Sequence, residues 1–337
     1  MLSFWNSNKM FFMFILFFST LISISSNSWL GCWIGLEINL LSFIPLISKS
    51  NNLLNSEASL KYFLTQSIAS INFLFSIILL MIFFKNFMNN FMLSMLINSS
   101  LLMKIGSVPF HFWFPNIIEG LSWFNCFILM TWQKISPMII LSYYMNNMFI
   151  MMIMIMNVII GALGGFNQLS LRKLLAFSSI NNLGWLLISL LISENMWLMY
   201  LIMYSFLILI LCLLFYMTNI FYLNQLFNNN MNYIIKISIM INFFSLGGLP
   251  PFIGFFPKWM IINFLLNFNF YLITFIFVMM SLIMLFLYIR IIYSSFMFFN
   301  FKMKWFNLFI NNKLINFINF FNFISLLGII ISTMFFM

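Results

Sequence analysis

Aspartate is absent from the 337 residues, glutamate occurs four times, histidine once and cysteine three times. So few ligating and titratable side chains exclude a Cys or Cys/His metal cage, a nucleotide-binding domain and a carboxylate-rich hydrolase site. Cys32, Cys126 and Cys212 lie in apolar stretches without a C-x-x-C spacing and read as reduced packing residues. Charged residues make up only 5% of the chain and apolar ones 64%. A water-soluble domain is about a quarter charged, so that class is excluded. The formal charge of +10 is no nucleic-acid footprint, because the 14 Lys and Arg residues are spread singly and form no dense basic face. The N-terminus also lacks the n-region, h-region and cleavage site of a signal peptide and the Arg-rich pattern of a transit peptide.

What is present is a succession of long apolar runs. A membrane helix takes roughly 20 apolar residues and its connector about 10 more, so the length suits about 11 spans and leaves no separate soluble domain. The runs predict helices near residues 10 to 27, 29 to 47, 60 to 84, 91 to 107, 121 to 144 and 148 to 166, then 174 to 192, 196 to 218, 234 to 255, 270 to 297 and 316 to 336. Segments 109 to 119 and 256 to 267 are short, Pro-flanked half-helices attached to breaks. The fold class is an all-α polytopic membrane protein. With eleven spans the termini lie on opposite sides. Lys9, Lys49, Lys61, Arg172, Lys173, Lys236, Arg290, Lys302, Lys304 and Lys313 then share the N-terminal side, against Lys85 alone on the other. The positive-inside rule places that N-terminal side in the compartment of synthesis.

An internal repeat runs through this pattern. Gly106-Ser-Val-Pro109-Phe110-His111-Phe-Trp-Phe114-Pro115 and Gly248-Leu-Pro250-Pro251-Phe252-Ile-Gly-Phe-Phe256-Pro257 share G-x-x-P-F-x-x-x-F-P without a gap. They fall on the fourth and ninth spans, which run in opposite directions if eleven spans are present. The expected halves are 29 to 145 and 148 to 297, followed by a C-terminal helix at 316 to 336. Two discontinuous helices in corresponding places of inverted halves are the pattern of an ion-coupled transporter. Two unrelated proline kinks are the plainer alternative.

Glu37, Lys104, Lys134 and Lys258 lie inside apolar runs, where a charge costs several kcal/mol unless it is paired, hydrated or functional. Proline lacks the N–H that bonds to the carbonyl four residues earlier. Pro109 therefore frees the carbonyl of Ile105, Pro137 that of Gln133, and Pro250 and Pro251 those of Leu246 and Gly247, beside the Gly247-Gly248 pair. Each freed acceptor is close to a lysine, and unpaired backbone at this depth belongs beside a hydrated cavity or inside protein. A lysine out of water releases its proton more readily and a nearby carboxylate restores its hold, so a Glu that moves can load and unload it. A static ion pair between Glu37 and a lysine is the alternative reading. His111 follows the first break and is either a proton relay or a hydrogen-bonding plug. Arg172 and Lys173 read as interfacial anchors; Glu57, Glu119 and Glu194 flank spans and read as solvated, with Glu119 near enough to the first break to guard an entrance.

These residues carry a family resemblance. Asn27-Ser-Trp-Leu-Gly-Cys-Trp-Ile-Gly-Leu-Glu37-Ile-Asn39, Glu57-Ala-Ser-Leu-Lys-Tyr-Phe-Leu-Thr-Gln66, Leu102-Met-Lys104-Ile-Gly-Ser-Val-Pro-Phe-His-Phe-Trp113 and Thr131-Trp-Gln-Lys134 resemble the subunit 2 family of animal mitochondrial NADH-ubiquinone oxidoreductase, complex I. So do Asn167-Gln-Leu-Ser-Leu-Arg172-Lys173 and Gly247-Gly-Leu-Pro-Pro-Phe-Ile-Gly-Phe-Phe-Pro-Lys258. The match runs from about residue 25 to 260, and the last 75 residues resemble the family mainly in hydropathy. The 49 Phe and 30 Met with scarce Ala look like the codon bias of an AT-rich, insect-like mitochondrial genome. The resemblance implies an antiporter-like, proton-pumping membrane-arm subunit of eleven helices in the mitochondrial inner membrane, N-terminus in the matrix and C-terminus on the intermembrane-space side. It further implies that this chain binds no cofactor, with FMN, iron-sulfur clusters and ubiquinone used elsewhere in the complex. The implied partners are the neighbouring antiporter-like subunit, small quinone-proximal membrane subunits, supernumerary subunits and phospholipids, and no nucleic acid. Glu37 and Lys104 match the family's charged pair, Lys134 its central lysine and Lys258 the lysine of its second broken helix. At Asn182 the family pattern leads one to expect histidine, and a relay at this point would need water instead. A free-standing cation/proton antiporter and a non-pumping scaffold subunit are the rival function classes.

Overall fold

A bilayer offers backbone N–H and C=O groups no water, so apolar runs must satisfy them within helices. The computed structural model describes residues 7–48, 52–83, 89–228, 233–297, 312–326 and 328, and among these the secondary structure is helical apart from a single bridge between Ser170 and Tyr222. The chain divides into two compact units, Met1–Ile153 and Met154–Met337. The first contains α1 (Ser7–Ser25), α2 (Trp29–Ile47), α3 (Leu53–Phe83), α4 (Asn89–Ile105), α5 (Trp113–Gly120), α6 (Trp123–Met130) and α7 (Ile135–Tyr143). The boundary falls within α8 (Asn147–Gly164). The second contains α9 (Leu171–Ile192), α10 (Glu194–Thr218), α11 (Leu223–Asn228), α12 (Tyr233–Gly247), α13 (Phe255–Asn267), α14 (Tyr271–Met297) and α15 (Asn312–Leu326).

Local chemistry sets several of these limits. Ser28 and Ser193 open α2 and α10 by accepting the N–H groups of Gly31 (3.2 Å) and Met196 (3.3 Å). Asn219, at φ 53°, closes α10. Packing follows membrane rather than aqueous rules. In α1 the buried face carries Ser19, Thr20 and Ser23, whereas Phe11, Phe14 and Leu21 are exposed. Each of those hydroxyls donates to a carbonyl of its own helix, at 2.7 to 2.8 Å. Small, internally satisfied residues let α1 and α2 approach closely while the large apolar ones face lipid.

Nine helical stretches among the described residues are long and apolar enough to cross a membrane, counting 91–120 and 123–143 as one stretch each. Tyr233–Gly247 is shorter, and residues 327 and 329–336 of the eleventh expected helix lie outside the described residues, as do Lys49, Lys85, Lys302 and Lys304. Two expectations need correction. The ninth run does not continue to 255: α12 stops at Gly247, because the next residue takes a left-handed conformation and two prolines follow. The fifth run, expected as one helix over 121 to 144, is interrupted at Thr131, with a 3₁₀ turn at Trp132–Lys134. Pro137, in the first turn of α7, cannot donate to Gln133 and its ring crowds that carbonyl.

In the second unit α15 lies against α12 and α10. Asn242 Nδ2 donates to Asn322 Oδ1 at 2.7 Å, and the Ile253 N–H donates to the Ser325 carbonyl at 3.0 Å. The last helix thus supplies an acceptor to irregular backbone that has none of its own.

Candidate functional site

Both copies of the repeat end a helix in the same way. Gly106 has φ +78° and Gly248 φ +81°. The Gly106 N–H donates to the carbonyls of Leu102 and Met103, and the Ser107 N–H to Leu102, at 3.1 to 3.2 Å. One repeat later the Gly248 N–H donates to Phe244 and Ser245, and the Leu249 N–H to Phe244, at 3.0 to 3.3 Å. This is the Schellman ending, which needs a left-handed residue and so favours glycine. Prolines then prevent the helix from resuming at once: Pro109 leads into a 3₁₀ turn at Phe110–Phe112, and Pro250 and Pro251 into an irregular stretch before α13.

The exposed ends of α4 and α12 are satisfied by side chains. At the first break Trp113 Nε1 donates to the Met103 carbonyl (3.2 Å) and Gln66 Nε2 to the Lys104 carbonyl (3.1 Å). At the second, Lys258 Nζ donates to the carbonyls of Leu246 (3.1 Å) and Gly247 (3.2 Å). These are the two acceptors left without a helical partner by Pro250 and Pro251. The Lys258 ammonium also lies 5.8 Å from the centre of the Trp185 ring.

The first unit brings Lys104 and Lys134 to one cavity. It is lined by polar groups from several elements, among them Asn39, Tyr62, Gln66 and Gln133, and its volume of ≈ 20 Å³ is room for about one or two waters. Lys134 is 2% exposed, in the 3₁₀ turn between α6 and α7, with its ammonium 5.3 Å from the ring centre of Phe114, a residue of the repeat. Gln133 Nε2 donates to Asn39 Oδ1 at 2.9 Å and ties this turn to α2. Glu37, half-buried on α2, is the carboxylate whose charge acts on Lys104, at longer range than a direct ion pair.

The second unit gives Lys258 a cavity of its own, also ≈ 20 Å³, lined by Asn182, Tyr200, Tyr204 and Ser245. Asn182 Oδ1 accepts the Tyr200 hydroxyl at 3.1 Å. His111, by contrast, does not line the first cavity; its buried ring packs on Phe112 (4.2 Å between centres) and against the Pro109 backbone. Glu57 pairs with Lys61 on the exposed side of α3, and Glu194 is exposed in the first turn of α10. Lys236, the fourth residue of α12, is buried.

Sequence reasoning missed Tyr62, Gln66, Gln133, Tyr200 and Tyr204 as wall residues. Their signal was available: an amide or phenol inside an apolar run, spaced four apart in Tyr62/Gln66 and Tyr200/Tyr204, marks one polar stripe on a helix. Among the described residues no cluster of His, Cys, Asp and Glu is arranged to hold a metal. The arrangement can hold cations at the ends of broken helices, with water and neutral dipoles beside them.

Comparison with known proteins agrees with this geometry. Residues 26–284 match the family described as NADH:quinone oxidoreductase/Mrp antiporter, TM. The chain is 51% identical over 331 residues to NADH-ubiquinone oxidoreductase chain 2 of Anopheles gambiae, covering 96% of this chain and 97% of that protein. Identity to the protein of the same name from Aedes aegypti is 50% over 342 residues, 98% of each. A chain of respiratory complex I from Thermus thermophilus superposes with a TM-score of 0.81, covering 96% of this chain and 78% of that one; at 18% identity the likeness is one of fold. With the repeat, the breaks and the buried lysines all in place, the chain belongs to the NADH-ubiquinone oxidoreductase chain 2 family, within the antiporter-like membrane proteins.

Proposed function

We propose that Lys104, Lys134 and Lys258 are the protonation stations of this chain, that Glu37 is the counter-charge that loads and unloads Lys104, and that His111 and Asn182 are secondary members of the path. The setting is that of the family: a proton-translocating subunit in the membrane arm of NADH:ubiquinone reductase, carrying no redox step itself. In this reading electron transfer from NADH through FMN and iron-sulfur clusters to ubiquinone occurs elsewhere in the complex and drives proton export from the matrix. The chain lies in the mitochondrial inner membrane, N-terminus in the matrix and C-terminus on the intermembrane-space side, with 29 to 145 and 148 to 297 as inverted halves. Its neighbours are another antiporter-like subunit, small quinone-proximal membrane subunits, supernumerary subunits and phospholipids.

The observation that carries the reading is the setting of Lys258. Its two hydrogen-bond acceptors are carbonyls, and no glutamate lines the cavity beside it. A fixed ion pair would place a carboxylate there; a station that must give up its proton is better served by dipoles and water, which favour the cation without binding it irreversibly. Each proton exported works against about 2.3 kcal/mol per 100 mV of membrane potential, so the affinity of such a station has to switch.

The test is Lys258→Met in the intact complex, comparing quinone reductase activity and proton uptake into vesicles with the amount of complex on a native gel. Loss of pumping with normal assembly is the expected result. Normal pumping per intact complex would make Lys258 a packing residue and put a scaffold role ahead. Orientation is checked separately by labelling the 167–173 connector, which should react from the matrix side only.

A further inference from the structure

Pro137 accounts for the interruption of the fifth run, but it does not orient the 3₁₀ turn Trp132–Lys134 that carries a buried lysine. Two side chains of this turn reach other elements. Trp132 meets Phe17 of α1 edge to face, with ring centres 4.5 Å apart and planes at 82°. Gln133 Nε2 donates to Asn39 Oδ1 of α2 at 2.9 Å. The ring contact is apolar and tolerates sliding, whereas a hydrogen bond fixes both a distance and a direction. Thr131, where α6 ends, spends its hydroxyl on its own helix, at the Phe127 carbonyl 2.7 Å away.

The partner on α2 is well placed. Asn39 is 4% exposed and, like Gln133, lines the cavity that holds Lys104 and Lys134; Glu37, two residues earlier, does not line it. A separation of two residues on a helix is about 3 Å of rise and about 200° of rotation, so the carboxylate and the amide leave α2 in nearly opposite directions. Asn39 therefore brings α2 to the lysine turn where Glu37 does not. A buried amide is costly unless bonded, so each member of the pair holds the other in place. Neither ionises, so neither competes with a lysine for its proton. The other lysine of this cavity is held in a similar way, since Gln66 Nε2 of α3 donates to the Lys104 carbonyl at 3.1 Å. Each of the two lysine-bearing segments is thus tied to a neighbouring helix by a glutamine amide.

We infer that Gln133 and Asn39 are positioning residues for Lys134: their hydrogen bond locks the 3₁₀ turn to α2, sets where the lysine stands in the cavity it shares with Lys104, and makes a displacement of α2, the helix of Glu37, displace Lys134 as well. The inference rests on Lys134 being a protonation station. Neither amide takes or gives a proton; both act through the lysine. The other titratable groups lining the cavity are Lys104 of α4 and Tyr62 of α3, with Glu37 of α2 acting on Lys104 from longer range.

Gln133→Leu and Asn39→Leu, made in the intact complex, should each lower proton uptake per intact complex by about fivefold, the equivalent of one neutral hydrogen bond. The double variant should lose no more than either single one, because both remove the same bond. The pH profile of uptake should move by about half a unit in all three, the same energy read as a change in how Lys134 holds its proton. A packing role would instead reduce the amount of complex on a native gel and leave that profile in place. Gln133→Asn keeps the amide and shortens its reach by one methylene, which takes a 2.9 Å bond beyond hydrogen-bonding distance. It is the second arm should the leucine variants reduce assembly. Unchanged uptake and pH profile in assembled Gln133→Asn, or losses that multiply in the double variant, would overturn the inference. Lys134→Met separates the two levels: if it abolishes uptake while the amide variants pump normally, the positioning role is wrong and the station stands. If Lys134→Met also pumps normally, the station itself is wrong.

Discussion

At the first break the lysine belongs to the helix that ends: Lys104 is in the last turn of α4, two residues before Gly106. At the second it belongs to the helix that begins: Lys258 is the fourth residue of α13, ten residues after Gly248, and it reaches back to the last carbonyls of α12. The repeat therefore does not preserve where the cation is attached. It preserves a lysine beside a helix end exposed by a glycine and prolines: Lys104 within the last turn of α4, and Lys258 bonded to the last carbonyls of α12 at the negative end of its dipole. The surroundings differ in kind. The first unit has a carboxylate in range, with amides and the Tyr62 phenol in the wall; the second has two phenols and an amide, with no glutamate lining the cavity. A repeat can thus conserve an electrostatic position while exchanging the groups that tune it.

The largest effect should come from Lys134→Met, which keeps the apolar stem and removes the only charge in the α6–α7 interruption. Coupled activity should fall by at least about tenfold with the complex retained on a native gel. Equal losses in Lys134→Met and Lys258→Met would support equivalent units; a loss in one alone would break the comparison. Next is Gly254→Ala. A Cβ there runs into the Ser245 carbonyl, a backbone atom that cannot yield, so a cost of about 3 kcal/mol and a severalfold fall in assembled complex are expected. Its counterpart in the first repeat is Phe112, 73% exposed, and Phe112→Ala should stay within about 0.5 kcal/mol in a chemical-denaturation series.

Smaller effects sharpen the comparison further. Gly106→Ala and Gly248→Ala should each cost about 1–2 kcal/mol for the left-handed backbone. Only Gly248→Ala should also reduce pumping per complex, because its Cβ lies 3.1 Å from Lys258 Nζ whereas that of Gly106 meets Trp113. Glu37→Gln should have the mildest effect on activity, a partial loss measured as proton uptake per intact complex, since Lys104 keeps its helix-end dipole. Complete loss would show that the carboxylate outweighs the dipole in the first unit.

The helix breaks were legible because their cause is local: glycine and proline at fixed spacing dictate where α4 and α12 stop. The same rule led from Pro250 and Pro251 to the two carbonyls that Lys258 binds. It also pointed at Gln133 through Pro137, yet the sequence reading kept 121 to 144 as one helix, because hydropathy is continuous across Trp132–Lys134 and a break without glycine leaves no gap in it. The walls of the two cavities were legible as polar stripes on single helices, but not as walls of a shared cavity. Asn39, Gln66, Tyr200 and Tyr204 are single polar residues in apolar runs, and which of them meet depends on helix packing that no local pattern encodes. The grouping of Asn182 with Lys258, 76 residues apart, is of the same kind.

The contact between Ile253 and Ser325 bears on how the protein is made. Chains emerge from the ribosome N-terminus first, so the second break enters the membrane before its acceptor has been synthesised. Until α15 arrives, an amide hydrogen sits in hydrocarbon or protein interior with nothing to bond, at a cost of several kcal/mol. Gly328, pressed against the Ile253 backbone, belongs to the same late arrival. A second unit that lacks Ser325 therefore leaves the Ile253 N–H beside the second break without its acceptor.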